Sequence, residues 1–327
     1  MKQSTQILSI FMLTCIGASC SAGAAQPEPG GTTTFSQTSE TTPGNLTIVN
    51  PAIPASIKFA DQNIELDRID MYERFDRELT SMLYTHGNTL LLIKRANKYF
   101  PIIEPILKKN GVPTDLIYLA CIESSLNQRA YSPAKAAGIW QFMPATAKQY
   151  GLEVNEWVDE RYNIEKETEA ACRYLKKAYG EYGNWESAAA AYNGGTNRIT
   201  TQLDAQLADS AFDLYLVDET SRYMFRILAA KMILENPREF GFYLTPEQLY
   251  QPVEYDTVDV NTEIGDWAQW AQKHGITYSI LREANPWIRA KNLPNRSGKT
   301  YKVKIPRQKS LYRSTQDVKV YNQAWVK

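Results

Sequence analysis

Leu116-Ile117-Tyr118-Leu119-Ala120-Cys121-Ile122-Glu123 runs seven uncharged residues directly into one acid. Pro113-Thr114-Asp115 before it is a helix-start signal, with Thr114 in the N-cap position. A helix that is apolar on every side is a buried helix. At 3.6 residues per turn, Leu116, Leu119, Ala120 and Glu123 share one face. A carboxylate there is costly unless it is paired, hydrogen-bonded or protonated. Burial and the negative end of the helix dipole both disfavour its ionised form. Glu123 is therefore expected to have a raised pKa and to act as an acid. On this run alone, a helix-end glutamate turned toward water is the competing reading.

The rest of the chain bounds what that acid serves. Its 327 residues carry 36 basic and 36 acidic side chains. Zero net charge gives no electrostatic basis for nucleic-acid binding. The two histidines, His86 and His274, stand alone and no CxxC pair occurs, so no metal site and no cofactor is expected. Tyr and Trp are plentiful; they serve as core, and also as platforms for sugar rings. Lys2 followed by the apolar Ile7–Ile16 and small residues reads as an export signal over 1–22, too short to span a membrane. Two cleavage readings stand. One is ordinary processing near Ala22–Ala25. The other treats Ala18-Ser19-Cys20 as a lipoprotein box with Cys20 lipidated, the only membrane attachment expected. Cys121 and Cys172 remain, both on apolar helical faces, as buried inert thiols or as a disulfide.

Residues 23–57, rich in Pro, Gly, Thr, Ser and Gln, read as a flexible linker. Residues 58–250 read as helical, without strand-like alternation. Helices are expected at Asp70–Leu83, Thr89–Phe100, Pro101–Lys109, the Glu123 run, Pro144–Tyr150, Asn163–Tyr179, Trp185–Tyr192 and Glu219–Leu234. Asn163 is an expected cap, and Glu169 and Arg173 an i,i+4 pair. Composition then shifts. Tyr255–Val260 and Tyr301–Pro306 alternate like strands around two helical stretches, giving a small β-α-α-β module at 251–307. Residues 308–327 read as a polar tail. The fold class expected is mainly α with that module appended.

Three further segments join Glu123-Ser124. Ser132 precedes Gly138-Ile139-Trp140-Gln141-Phe142-Met143-Pro144, which as extended chain puts Gln141 and Met143 on one side and Trp140 and Phe142 on the other. Gly138 permits close backbone approach. Ala190-Ala191-Tyr192-Asn193-Gly194-Gly195 sets Tyr and Asn at a helix end, and Tyr223 shares a face with Ile227 and Ala230. Each has a bland reading as turn, core or helix terminator. Together, in this order and spacing, they resemble the lytic transglycosylase (SLT domain) family, and within it the membrane-bound D type. The resemblance covers about residues 65–240 and includes the lead-in Lys94-Arg95-Ala96-Asn97-Lys98-Tyr99-Phe100-Pro101. Residues 253–306 resemble a degenerate LysM module, with Gly265-Asp266-Trp267 where Gly-Asp-Thr is usual.

The resemblance implies a lysozyme-like α fold and cleavage of peptidoglycan between N-acetylmuramic acid and N-acetylglucosamine, leaving a 1,6-anhydro end. It implies Glu123 as sole acid/base; Ser124, Ser132, Gln141, Met143, Tyr192 and Asn193 as glycan-binding residues; and Tyr223 facing the acid. It places the protein in the periplasm, as an outer-membrane lipoprotein acting on glycan strands. Independently, no Asp or Glu occurs from Ser124 to Leu152 or from Ser187 to Leu203, whereas most glycosidases need two carboxylates. A lysozyme-type hydrolase and a non-catalytic peptidoglycan-binding protein are the alternatives.

Overall fold

The computed structural model describes residues 50–327. The export signal, Cys20 and most of the 23–57 linker lie outside the described residues.

The described residues begin with a hairpin that the sequence reading missed. Strand β1 (Ser56–Phe59) pairs antiparallel with β2 (Gln62–Glu65), and Ile57, Phe59 and Ile64 point into the core. The strands are short, and their turn is Ala60-Asp61, with Ala60 at φ 53° in place of the usual Asn-Gly signal. Helix α1 (Ile69–Tyr84) buries Met71, Phe75, Leu79 and Leu83, a stripe of spacing four, against α8 (Asp218–Glu235).

Helix α2 (His86–Lys109) is one element, not the two expected. Pro101 and Pro105 lie inside it, four residues apart on its exposed face. Each proline forgoes a backbone hydrogen bond and costs about 3 kcal/mol. Burial of Phe100, Ile103 and Leu107 on the opposite face carries the helix through. Helix α5 (Ile164–Tyr182) packs on α2 and on α6 (Trp185–Gly194). Asn163 caps α5 as expected, accepting from Lys166 N at 3.1 Å. The Glu169–Arg173 pair is replaced by longer reaches: Glu169 accepts from Asn110 at 2.9 Å, and Arg173 donates to the Tyr150 carbonyl. Helix α7 (Thr196–Gln206), not expected, follows α6 directly.

Helix α3 (Ile117–Ser124) is enclosed by α2 and α8, and only Ile122 is not buried. A 3-10 turn at Thr114–Leu116 leads into it, and the Thr114 hydroxyl makes no cap. Asp115 holds the entry instead, accepting from Ala60 N at 2.7 Å and from Lys231 Nζ at 2.9 Å. Cys121 and Cys172 are free buried thiols; burial pushes Cys172 up to about 12 and Cys121 higher still.

Helix α4 (Pro144–Gln149) completes the helical body. Beyond it, β3 (Tyr255–Val260), α9 (Trp267–Lys273), α10 (Tyr278–Ala284) and β4 (Tyr301–Pro306) form the expected β-α-α-β module, with Val260 opposite Tyr301 in the antiparallel ladder. Its core of Trp267, Leu281, Trp287 and Val303 extends into Ala137, Val158 and Tyr162 of the helical body. Backbone bonds Asp159 N to Trp287 O (2.9 Å) and Arg289 N to Trp157 O (2.8 Å) cross the junction.

Residues 308–327 are not the polar tail expected. Trp325 is fully buried and donates to Leu234 O at 2.5 Å, Phe100 packs edge-on against Tyr321 and Trp325, and Asn97 exchanges hydrogen bonds with Lys319 and Tyr321. Two aromatics and Val326 outweigh the polar composition, because they fill a slot between α2 and α8.

Candidate active site

Glu123, the penultimate residue of α3, lies at the floor of a small pocket. It is 9% exposed, and one carboxylate oxygen accepts from the Tyr223 hydroxyl at 2.7 Å. Burial pushes its pKa up to about 7; the Tyr223 bond pulls the other way, and the charge of Glu219, one turn earlier on α8, adds to the rise. No cation is paired with it among the described residues. A carboxyl that keeps its proton near neutrality can deliver it to a leaving oxygen.

Gln141, Met143 and Tyr192 join Glu123 in the lining, with Phe142, Thr146 and Tyr174, which sequence reading did not assign. Tyr192 donates to Trp140 O at 2.8 Å, so its ring is the wall and its hydroxyl the anchor. Tyr174 packs edge-on against it at 5.0 Å and donates to Ala191 O.

The segment from Gly138 is a turn, not extended chain. Gln141 sits at φ 50°, and its amide donates back to Gly138 O at 2.8 Å. Gln141, Phe142 and Met143 therefore all reach the pocket, while Trp140 turns inward and donates its indole N–H to Thr168 at 2.9 Å. Gly138, at φ 85°, is required: a Cβ there would lie 1.8 Å from Arg161 O and 2.3 Å from Glu167 Oε2. The close approach it permits is to the protein's own backbone.

Two buried ionisable residues hold this turn. Arg161 forks onto Asp159 and donates to Lys135 O (2.7 Å) and Phe142 O (2.9 Å). Glu167, fully buried, accepts from Trp140 N at 3.1 Å. Burial holds the pKa of its carboxyl well above the usual carboxylate range. On α5, Glu167 falls on the buried stripe of Ile164 and Ala171. Glu165-Lys166-Glu167 instead reads as a charged surface.

The remaining expected residues do not line the pocket. Ser124 ties α3 to the turn by donating to Ile139 O at 2.8 Å. Ser132 accepts from Ala136 N at 3.0 Å and braces the loop before the turn. Asn193 is buried in the last turn of α6.

Residues 100–213 match the transglycosylase SLT domain family, and residues 256–309 match the soluble lytic transglycosylase C-terminal LysM-like domain. The chain is 30% identical over 249 residues to membrane-bound lytic murein transglycosylase D of Escherichia coli strain K12, covering 75% of this chain and 53% of that protein. It is 33% identical over 162 residues to peptidoglycan transglycosylase gp16 of Escherichia phage T7, covering 48% of this chain and 12% of that one. Among solved structures it is similar to the 70 kDa soluble lytic transglycosylase of Escherichia coli, at 24% identity and a TM-score of 0.35 over 42% of this chain and 24% of that chain. The chain thus spans about half the length of the membrane-bound relative. Residues 100–213, the segment that carries Glu123, are a transglycosylase SLT domain, and the chain is similar to lytic transglycosylases beyond it.

Proposed function

We propose that this protein cleaves peptidoglycan glycan strands between N-acetylmuramic acid and N-acetylglucosamine without consuming water. The observation that carries the reading is the buried Glu123, protonated near neutrality and bonded to Tyr223 at the floor of the pocket. Glu123 gives its proton to the glycosidic oxygen as the C1–O bond breaks. The resulting carboxylate then takes the proton of the muramic 6-hydroxyl, whose oxygen closes on C1 as a 1,6-anhydro ring. The proton count balances with one residue serving as acid and then base. Gln141, Met143 and the Tyr192 ring bind the sugar flanking the bond, and Tyr223 sets the carboxyl rotamer.

The names of the relatives, a membrane-bound murein transglycosylase among them, support an envelope location with residues 1–22 as export signal and Cys20 as lipid anchor. The module resembling LysM would add a second hold on the glycan. Hydrolysis is the second reading, because Glu219 is close enough to raise Glu123. Mass spectrometry of products from purified sacculi separates the two. Anhydro ends are expected, and products carrying one water more would overturn the non-hydrolytic reading. Intact-mass measurement of membrane-extracted protein tests Cys20.

A further inference from the structure

Where the β-α-α-β module meets the helical body lies a cleft of about 830 Å³, separate from the Glu123 pocket. Four arginines line it, Arg129, Arg161, Arg282 and Arg289, against one acid, Asp159. Two of them are already matched. Arg161 is held by Asp159, and Arg129 pairs with Glu283 at 2.8 Å. The other two, among the described residues, have no carboxylate partner. The Arg282 guanidinium donates to the Tyr278 hydroxyl at 2.6 Å, and its Nε is buried with nothing to bond. The Arg289 guanidinium lies over the Tyr162 ring, 4.7 Å from its centroid. A buried N–H without an acceptor is costly, so the Arg282 guanidinium is under-satisfied where it borders the cleft.

We propose that this cleft binds an acidic peptide, and that in the working enzyme the occupant is the carboxylate-bearing peptide substituent of the glycan strand. Planar guanidinium groups match carboxylates in bidentate geometry. The volume is that of a site for a ligand of a few residues. The exposed Tyr131 and the ring of Tyr162 offer apolar wall beside the charges, which suits a peptide better than a polyphosphate chain. The chain's zero net charge provides no long-range pull on a polyanion. The cleft also communicates with the acid's pocket. Arg129 and Tyr131 lie on the segment that goes on to Gln141 and Met143, and Arg161 bonds the Phe142 carbonyl between those two. Peptide held here would position the strand that Glu123 cuts.

The identity of the occupant rests on the peptidoglycan reading above; the binding of acidic peptide does not. The full chain is titrated calorimetrically with a synthetic tripeptide bearing three free carboxylates, and with the same peptide amidated. Saturable binding is expected for the first and none for the second. Arg289→Gln, at an exposed side chain, should weaken binding by at least about tenfold, the loss of one charge-assisted hydrogen bond; Arg282→Gln should do likewise. Cleavage by both variants is then compared on sacculi and on amidase-treated, peptide-free glycan strands. KM should rise severalfold on sacculi and stay unchanged on bare strands. Absence of tripeptide binding, equal binding of the amidated peptide, tighter binding of polyphosphate, or equal losses on both substrates would each overturn the proposal. A wild-type chain that binds the tripeptide but cleaves neither substrate would instead sink the peptidoglycan reading alone.

Discussion

At the scale of single residues, the proposed chemistry rests on Glu123 and Tyr223. Glu123→Gln removes the proton donor, and wall-lysing activity should fall by about 10²–10⁴-fold in a zymogram or turbidity assay. The same substitution has a stability signature. Folded Glu123 binds its proton more tightly than the unfolded chain does, so the native state loses stability as pH rises from the ordinary carboxylate range through about 7. Glu123→Gln should therefore match wild type below about pH 4 and exceed it by on the order of 2 kcal/mol at pH 8. Chemical denaturation at the two pH values checks this; a constant difference would contradict the raised pKa. Tyr223→Phe deletes the one bond that lowers the Glu123 pKa. The alkaline limb of its kcat–pH profile should move upward. A limb that stays in place would mean the hydroxyl is not on the carboxyl in solution. The burial of Glu123 was legible because an apolar helix ending in glutamate leaves the carboxylate nowhere to go. Tyr174, Thr146 and Glu167 were not, since each comes from a segment that reads as ordinary surface or core until α5 and the turn are folded together.

At the scale of elements, the turn at 138–141 matters most. The alternation of Trp140, Gln141, Phe142 and Met143 looks like a strand, and only the positive φ of Gly138 and Gln141 turns it. Sequence marks the first with a glycine and gives no mark for the second. Gly138→Ala should cost about 3 kcal/mol or more, combining overpacking against Arg161 O with an unfavourable φ. Its thermal midpoint would show this directly. Glu167 separates charge from shape. Glu167→Gln keeps an acceptor for Trp140 N and should be close to neutral, while Glu167→Ala strands that buried N–H and should lose about 1–3 kcal/mol. If the glutamine variant proved as damaging as alanine, the role of Glu167 would be more than accepting that hydrogen bond. Periodicity resolved most helices, but it broke α2 at Pro101 because proline was weighed without the buried face that outlasts it.

At the scale of the whole molecule, helical body and module share one apolar junction, and residues beyond the module return to the helices. Composition hid both facts, because neither a three-residue patch at Ala137, Val158 and Tyr162 nor two aromatics in a polar stretch shift an average. Trp325→Ala should destabilise the helical body by about 3–5 kcal/mol, read as a lower denaturant midpoint of the transition that reports α2 and α8. A loss confined to the module's own signals would refute that docking. The return of Trp325 to a slot between α2 and α8 also orders events in time. A polypeptide emerges from the ribosome N-terminal end first. Phe100 and Leu234 therefore wait, with their slot open to water, while some ninety residues beyond Leu234 are still being synthesised. The helices can collapse early, but this corner of the core can be sealed only after residue 325 has emerged.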